Sequence, residues 1–167
     1  YGGNGTGSTA GNLLAPFMAR SNVVRDGQSL PFLYNNTGQF IDAEGRPATR
    51  LVSEITRAFS PAQDFTRSGS AAVTLWIQGD VNNTAEAGDV LYLGVKDAAG
   101  HEAVATVAQP SDLRKFYWLE KSVPFTQLAG VDLTQVTGMF LGVGNRAAPV
   151  TGGSGTVFID GIVLTAE

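Results

Sequence analysis

The chain reads as an all-β protein, an antiparallel β-sandwich with about nine strands. Three observations predict this. Short runs with alternating apolar character recur along the whole length. Turn residues separate them at regular intervals. Twenty-one glycines and seven prolines are spread throughout, which argues against long helices.

The predicted strands follow in order: Leu13–Ala19, Ser29–Asn35, Leu51–Phe59, Ala72–Gly79, Val90–Lys96, Glu102–Ala108, Phe116–Val123, Gly138–Gly144 and Thr156–Leu164. Asp97-Ala98-Ala99-Gly100 is a tight hairpin turn, with glycine where a positive φ is wanted. Gln127–Leu133 reads as a helical turn with Asp132 as a cap. Tyr1–Gly11 is rich in Gly, Ser, Thr and Asn and has no apolar period, so the domain proper is set at residues 12–167. The chain opens at Tyr1 without initiator Met or signal peptide and reads as a mature or trimmed segment.

Composition excludes several classes. At 167 residues, one domain is expected, burying roughly 70% of its unfolded surface. Apolar residues make up 43% and charged residues only 16%, with net charge −4. Eleven Lys and Arg form no basic stripe, so nucleic acid and anionic membrane are poor partners. No apolar run is long enough to span a bilayer as a helix. Without cysteine there is no disulfide frame and no thiolate metal site.

Alternation assigns faces. Val73, Leu75 and Ile77 fall on one side of their strand and Trp76, with Thr74 and Gln78, on the other. Leu91, Leu93 and Val95 read as core and Tyr92 as opposite; Phe140 likewise opposes its neighbours in 139–143. If these strands share a sheet, Trp76, Tyr92 and Phe140 line its outer face. With Gln78 and Asn145 they would form a carbohydrate-stacking platform. Covered by the long 12–45 segment, the same row is instead a second small core. Tyr117 and Trp118 read as packing residues.

The order of motifs then resembles a known family. Asp26-Gly27-Gln28-Ser29-Leu30-Pro31-Phe32-Leu33-Tyr34-Asn35-Asn36-Thr37 precedes Ser53-Glu54-Ile55-Thr56-Arg57-Ala58-Phe59. Leu75–Asp80, Leu91–Gly100, Phe140–Arg146 and Phe158-Ile159-Asp160-Gly161-Ile162 follow. This resembles the galactose-binding-like jelly-roll modules of large secreted proteins of environmental bacteria, distant relatives of the β-sandwich carbohydrate-binding modules. The resemblance covers almost the whole chain and implies an extracellular or cell-surface location. It further implies a structural Ca²⁺ held by Asp160 and an early acid, with Glu54, Asp26 and Asp42 as partners. Two departures remove negative charge: Gly161 where members often have an acid, and Asn145 where they often have Asp. Members usually also carry an extra strand before the segment equivalent to Tyr1–Gly11.

Other signals are thinner. Asn4-Gly5-Thr6, Asn35-Asn36-Thr37 and Asn82-Asn83-Thr84 are N-glycosylation sequons, marking Asn4, Asn35 and Asn82. Catalysis finds little footing, and no enzyme is expected. His101 is alone beside a turn, and Asp97 and Glu102 are too close in sequence to oppose each other across a cleft. Gly152-Gly153-Ser154-Gly155 precedes a strand, not a helix, so it is no phosphate loop.

Two functional expectations follow. One is a non-catalytic structural subunit that associates head-to-tail with copies of itself into a filament or surface assembly. There Tyr1–Ala19 would be donated to an open sheet edge. The alternative is a carbohydrate-binding module of a larger secreted protein, with polysaccharide as partner. If Ca²⁺ is held at Asp160, excess chelator lowers the melting temperature, since an ion bound only by the folded state stabilises it; an unchanged melting curve removes the ion.

Overall fold

The computed structural model describes residues 8–12, 14–20, 23–24, 27–41 and 47–166. Its strands are β1 (Ser8–Ala10), β2 (Leu30–Asn35), β3 (Phe40–Ile41), β4 (Pro47–Ala48), β5 (Ser53–Gln63), β6 (Ala72–Gln78), β7 (Leu91–Asp97), β8 (Glu102–Ala108), β9 (Leu119–Pro124), β10 (Val136–Val143) and β11 (Ser154–Thr165). Nine of them make the jelly-roll sandwich. A five-stranded sheet runs β1-β2-β11-β6-β9 and a four-stranded sheet β5-β10-β7-β8, all antiparallel. The short β3–β4 pair stands apart.

The alternation seen in sequence builds the core. Val73, Leu75 and Ile77 of β6, Phe32 of β2, and Val157 and Ile159 of β11 face inward from one sheet. Leu91, Leu93 and Val95 of β7, with Leu141 and Val143 of β10, face inward from the other, and all join one buried cluster. Each such side chain contributes about 1.5–3 kcal/mol relative to exposure. No strand period is needed at β5, an edge strand: Pro61 lies where its register against β10 jumps from Ala58 to Gln63, a position that tolerates a missing N–H.

Three expectations are corrected. Leu13–Ala19 is not a strand: among the described residues it offers only an isolated bridge, Ala19 to Ser29. Its chain turns back instead, with the Asn12 N–H donating to Phe17 O at 2.7 Å and Asn12 Nδ2 to Pro16 O at 2.8 Å. The first strand lies earlier, inside the glycine-rich segment, where Ser8–Ala10 pairs with Ala10-to-Phe32 and Ser8-to-Tyr34 register on β2 of the same chain. Asp132 does not cap the turn at Phe125–Leu128; its Oδ1 accepts the N–H of Thr134 at 3.0 Å.

One end of the sandwich is fixed by buried polar groups. Asn36 Nδ2 donates to Asp89 Oδ1 at 2.7 Å and to Val143 O at 2.9 Å, and Ser53 Oγ donates to Asn36 Oδ1 at 2.8 Å. Asp89 Oδ2 accepts the N–H groups of Glu86 (2.8 Å) and Gly153 (2.7 Å). Here Gly153 allows close backbone approach: a Cβ would sit 1.8 Å from Thr84 O. The loops after β2 and β6 and the β10–β11 connection are therefore held together, which matters for the site.

The β7–β8 turn is formed as predicted, with Gly100 at φ +91°. The Asp97 carboxylate accepts the N–H of Asp132 (3.0 Å) and of His101 (2.9 Å), and His101 Nδ1 lies 3.0 Å away. Foremost the Asp132 N–H, and then His101, hold its pKa at about 2, below the ordinary 3.8. A carboxylate depressed in the folded state stabilises the fold above its unfolded pKa, and loses that contribution as pH falls toward its folded value. Urea unfolding between about pH 4 and pH 2 is accordingly expected to show falling stability, with a shallower fall in Asp97→Asn; equal slopes would remove Asp97 from acid sensitivity.

Candidate functional site

The outer face of the four-stranded sheet carries most of the polar chemistry. Register sets its rows: Glu54, Gly142, Tyr92 and Thr106 lie abreast across β5, β10, β7 and β8. Thr56, Phe140, Gly94 and Val104 form the next row, and Ala58, Gly138, Lys96 and Glu102 the third. Tyr92 lies over Gly142 and Phe140 over Gly94, each ring using the space a side chain would fill. A Cβ at Gly142 would meet the Tyr92 ring at 2.2 Å, and one at Gly94 the Phe140 ring at 2.1 Å. The two rings meet edge to face, 6.4 Å between centroids.

Arg146 covers this pair. Its guanidinium carbon lies 4.6 Å from the Phe140 centroid. Nε lies 3.2 Å from Glu54 Oε2, and Nη1 donates to Glu102 Oε2 at 2.9 Å. Tyr92 donates its hydroxyl to the same Glu54 Oε2 at 2.9 Å. Burial and then the Glu54 charge push the Tyr92 pKa far above its ordinary value, so the phenol stays protonated and donating. Hydrogen bonding from Arg146, ahead of the opposing burial, lowers the Glu102 pKa. Lys96 Nζ, 3.5 Å from Glu102, adds a second positive group to the cluster.

Beside this cluster runs an open groove of about 420 Å³, lined by Val90, Tyr92, Val104, Thr106, Gly144, Asn145, Arg146 and Ala147. Asn145 is exposed and its Oδ1 accepts the Ala148 N–H at 3.0 Å, which shapes the bend carrying Arg146.

The sequence-derived platform is corrected on two points. Trp76 and Gln78 sit on β6 of the five-stranded sheet, while Tyr92 and Phe140 belong to the other and Asn145 lies in the loop after β10, so the row is not one surface. Tyr92 and Phe140 do oppose the core residues of their strands. Yet they are only 2% and 4% exposed, because glycine and Arg146 use their faces. Trp76 pairs with Asp160 on β11, whose Oδ2 accepts the Val24 N–H at 2.9 Å, so the segment before β2 reaches that face. Gln78 Nε2 donates to Phe116 O. Tyr117, expected to pack, is half exposed.

The calcium candidates Asp160 and Glu54 lie on opposite sheets, Asp160 accepting backbone N–H groups and Glu54 holding Tyr92 and Arg146. Among the described residues no three acidic or His groups gather as a metal site; Asp26 and Asp42 lie outside them. Of the sequons, Asn82 is exposed, Asn35 is half-buried with Oδ1 accepting from Thr37, and Asn4 lies outside the described residues. From the sequence, Arg146 gains no role and Glu102 is set aside as a turn acid. Arg146 lies beyond the end of β10, where period two assigns no face.

No protein-family model and no curated protein matches the chain. Solved structures do, and they define the fold class as the β-sandwich shared by carbohydrate-binding modules. The family 30 carbohydrate-binding module of a cellulosomal cellulase of Clostridium thermocellum is similar over 100% of this chain and 95% of its own, with TM-score 0.57 and 11% identity. A family 28 module, specific for non-crystalline cellulose, matches over 87% of this chain and 80% of its own (TM-score 0.52, 11% identity). An exo-β-agarase overlaps 96% of this chain at TM-score 0.64 and 12% identity; the chain spans 22% of that enzyme.

Gly94→Ala is expected to destabilise by roughly 1–3 kcal/mol, the usual cost of overpacking. Urea unfolding checks it. Combined with Phe140→Leu, the glycine change becomes cheaper than in the parent, because the two positions share one space; additive costs would show that Phe140 does not depend on Gly94.

Proposed function

We propose that this chain is a non-catalytic carbohydrate-binding module, extracellular or surface-associated, that binds an uncharged polysaccharide in the groove beside Tyr92. One observation carries the reading: the groove is walled by a guanidinium held in place by two carboxylates and an aromatic ring. With Nε and Nη1 engaged, Nη2 remains to donate to ligand hydroxyls. A donor fixed beforehand costs little ordering on binding. Among the described residues the one charged group lining the groove, Arg146, is paired with Glu54 and Glu102, which suits a neutral glycan. Thr106 and Asn145 add hydrogen-bonding groups along the same groove.

The fold shared with carbohydrate-binding modules over nearly their whole length supports the reading. It is favoured over head-to-tail assembly, because the strand expected to be donated is engaged at Ser8–Ala10 by the chain's own β2.

Affinity electrophoresis through gels containing hydroxyethyl cellulose, xylan or agarose tests it. Retardation by at least one is expected. Arg146→Lys keeps the charge but loses the planar fork, and is expected to weaken binding about tenfold, the loss of about 1.4 kcal/mol. Unretarded migration in all three gels, together with concentration-dependent large species in light scattering, would return the chain to the structural-subunit reading.

A further inference from the structure

The groove has a conspicuous lack: its one aromatic lining residue, Tyr92, is buried, so it offers no ring face for stacking a sugar. Two rings elsewhere do. Among the residues whose burial is described, Phe116 and Tyr117 are the Phe, Tyr or Trp side chains at least half exposed, at 69% and 50%. They are neighbours, 5.8 Å between centroids and perpendicular at 82°.

These rings stand on a backbone that is held from several sides. The Gly79 N–H donates to Lys115 O at 2.8 Å, the Asp80 N–H to Leu113 O at 3.2 Å, and Asn83 Nδ2 to the same Leu113 O at 2.6 Å. Gln78 Nε2 donates to Phe116 O and Arg114 Nη2 to Ala85 O. Leu113 is fully buried as an anchor. Lys115 and Lys121 each place Nζ 2.7 Å from the Asp112 carboxylate. Gly79 makes the approach possible, since a Cβ there would lie 2.0 Å from Leu113 O. Exposed apolar rings on a rigid loop are what a recognition surface needs and what packing does not.

We propose that Phe116 and Tyr117 form a second glycan contact, an aromatic step on which pyranose rings of the bound polysaccharide stack. It lies on the β8–β9 connection and is separate from the Arg146 groove, and the proposal rests on the carbohydrate-binding reading. Size decides the occupant. A stable protein interface needs about 800 Å² per partner, whereas two aromatic side chains present at most a few hundred, an area suited to one or two sugar rings. The flanking ions do not oppose an uncharged ligand, because Lys115 and Lys121 are already directed to Asp112.

The test uses the whole chain in the same three gels, with thermal melting as the folding control. The Phe116→Leu/Tyr117→Leu variant keeps apolar bulk but has no ring face. It is expected to melt with the parent and to lose at least about tenfold in affinity. Phe116→Tyr, which keeps the ring, is expected to retain binding. Unchanged retardation of the double Leu variant overturns the proposal. If that variant loses binding while Arg146→Lys does not, the aromatic step stands and the groove assignment falls. If the parent binds none of the three polysaccharides, both fall. If the double Leu change abolishes only self-association in light scattering, the rings are a protein contact and the proposal is overturned.

Discussion

The reciprocal seating of Tyr92 on Gly142 and Phe140 on Gly94 is the constraint on which the rest of the four-stranded sheet depends. Two rings lie down on two glycines across one strand pair. A sheet face that would otherwise show isolated aromatics becomes a closed layer. That layer gives Arg146 a surface to cover, and brings the Tyr92 hydroxyl onto Glu54. Glycine in a strand interior ordinarily weakens it. Here the cost is offset because the rings fill the missing volume.

The same arrangement separates stability from recognition. Aromatic faces buried under Arg146 cannot also stack on a ligand. In the proposed function the groove would work through fixed polar donors, with ring faces supplied by the exposed Phe116 and Tyr117 of the β8–β9 connection. The loop is not loose: Gly79, Asn83 and Gln78 bind its backbone to the end of β6, as Asp89 and Asn36 bind the loops after β6 and β10. A sandwich of two rigid sheets thus positions connections that carry the chemistry.

Much of this was legible in the chain. The period-two runs of 73–77 and 91–95 determined which residues face the core, and the Asp97–Gly100 turn was readable from the positive-φ need of its glycine. The all-β class and the outward direction of Tyr92 and Phe140 followed from local rules, whereas the count of nine sandwich strands agrees only because Ser8–Ala10 takes the place of the expected Leu13–Ala19. The N-terminal strands were misread where local rules compete. The run 13–19 is apolar enough for a strand, yet Pro16 and Phe17 bond back to Asn12, while Ser8–Ala10 has no apolar period and still pairs with β2.

Sheet membership was not legible, because alternation gives a face and not a neighbour. Trp76 and Tyr92 obey the same pattern on different sheets, and only the order β11-β6-β9 against β10-β7-β8 separates them. Exposure was equally hidden. Whether an outward ring is open depends on what stands opposite it, and a glycine on the next strand or an arginine past its end is a long-range fact. The sequence by itself determined the fold class, the core and the lack of any cysteine. The tertiary structure alone decided that Arg146 meets Glu54 and Glu102, that Asp160 and Glu54 lie apart, and that Phe116 and Tyr117 stand open. Each of these depends on pairing between residues far apart in the chain, which no local period encodes.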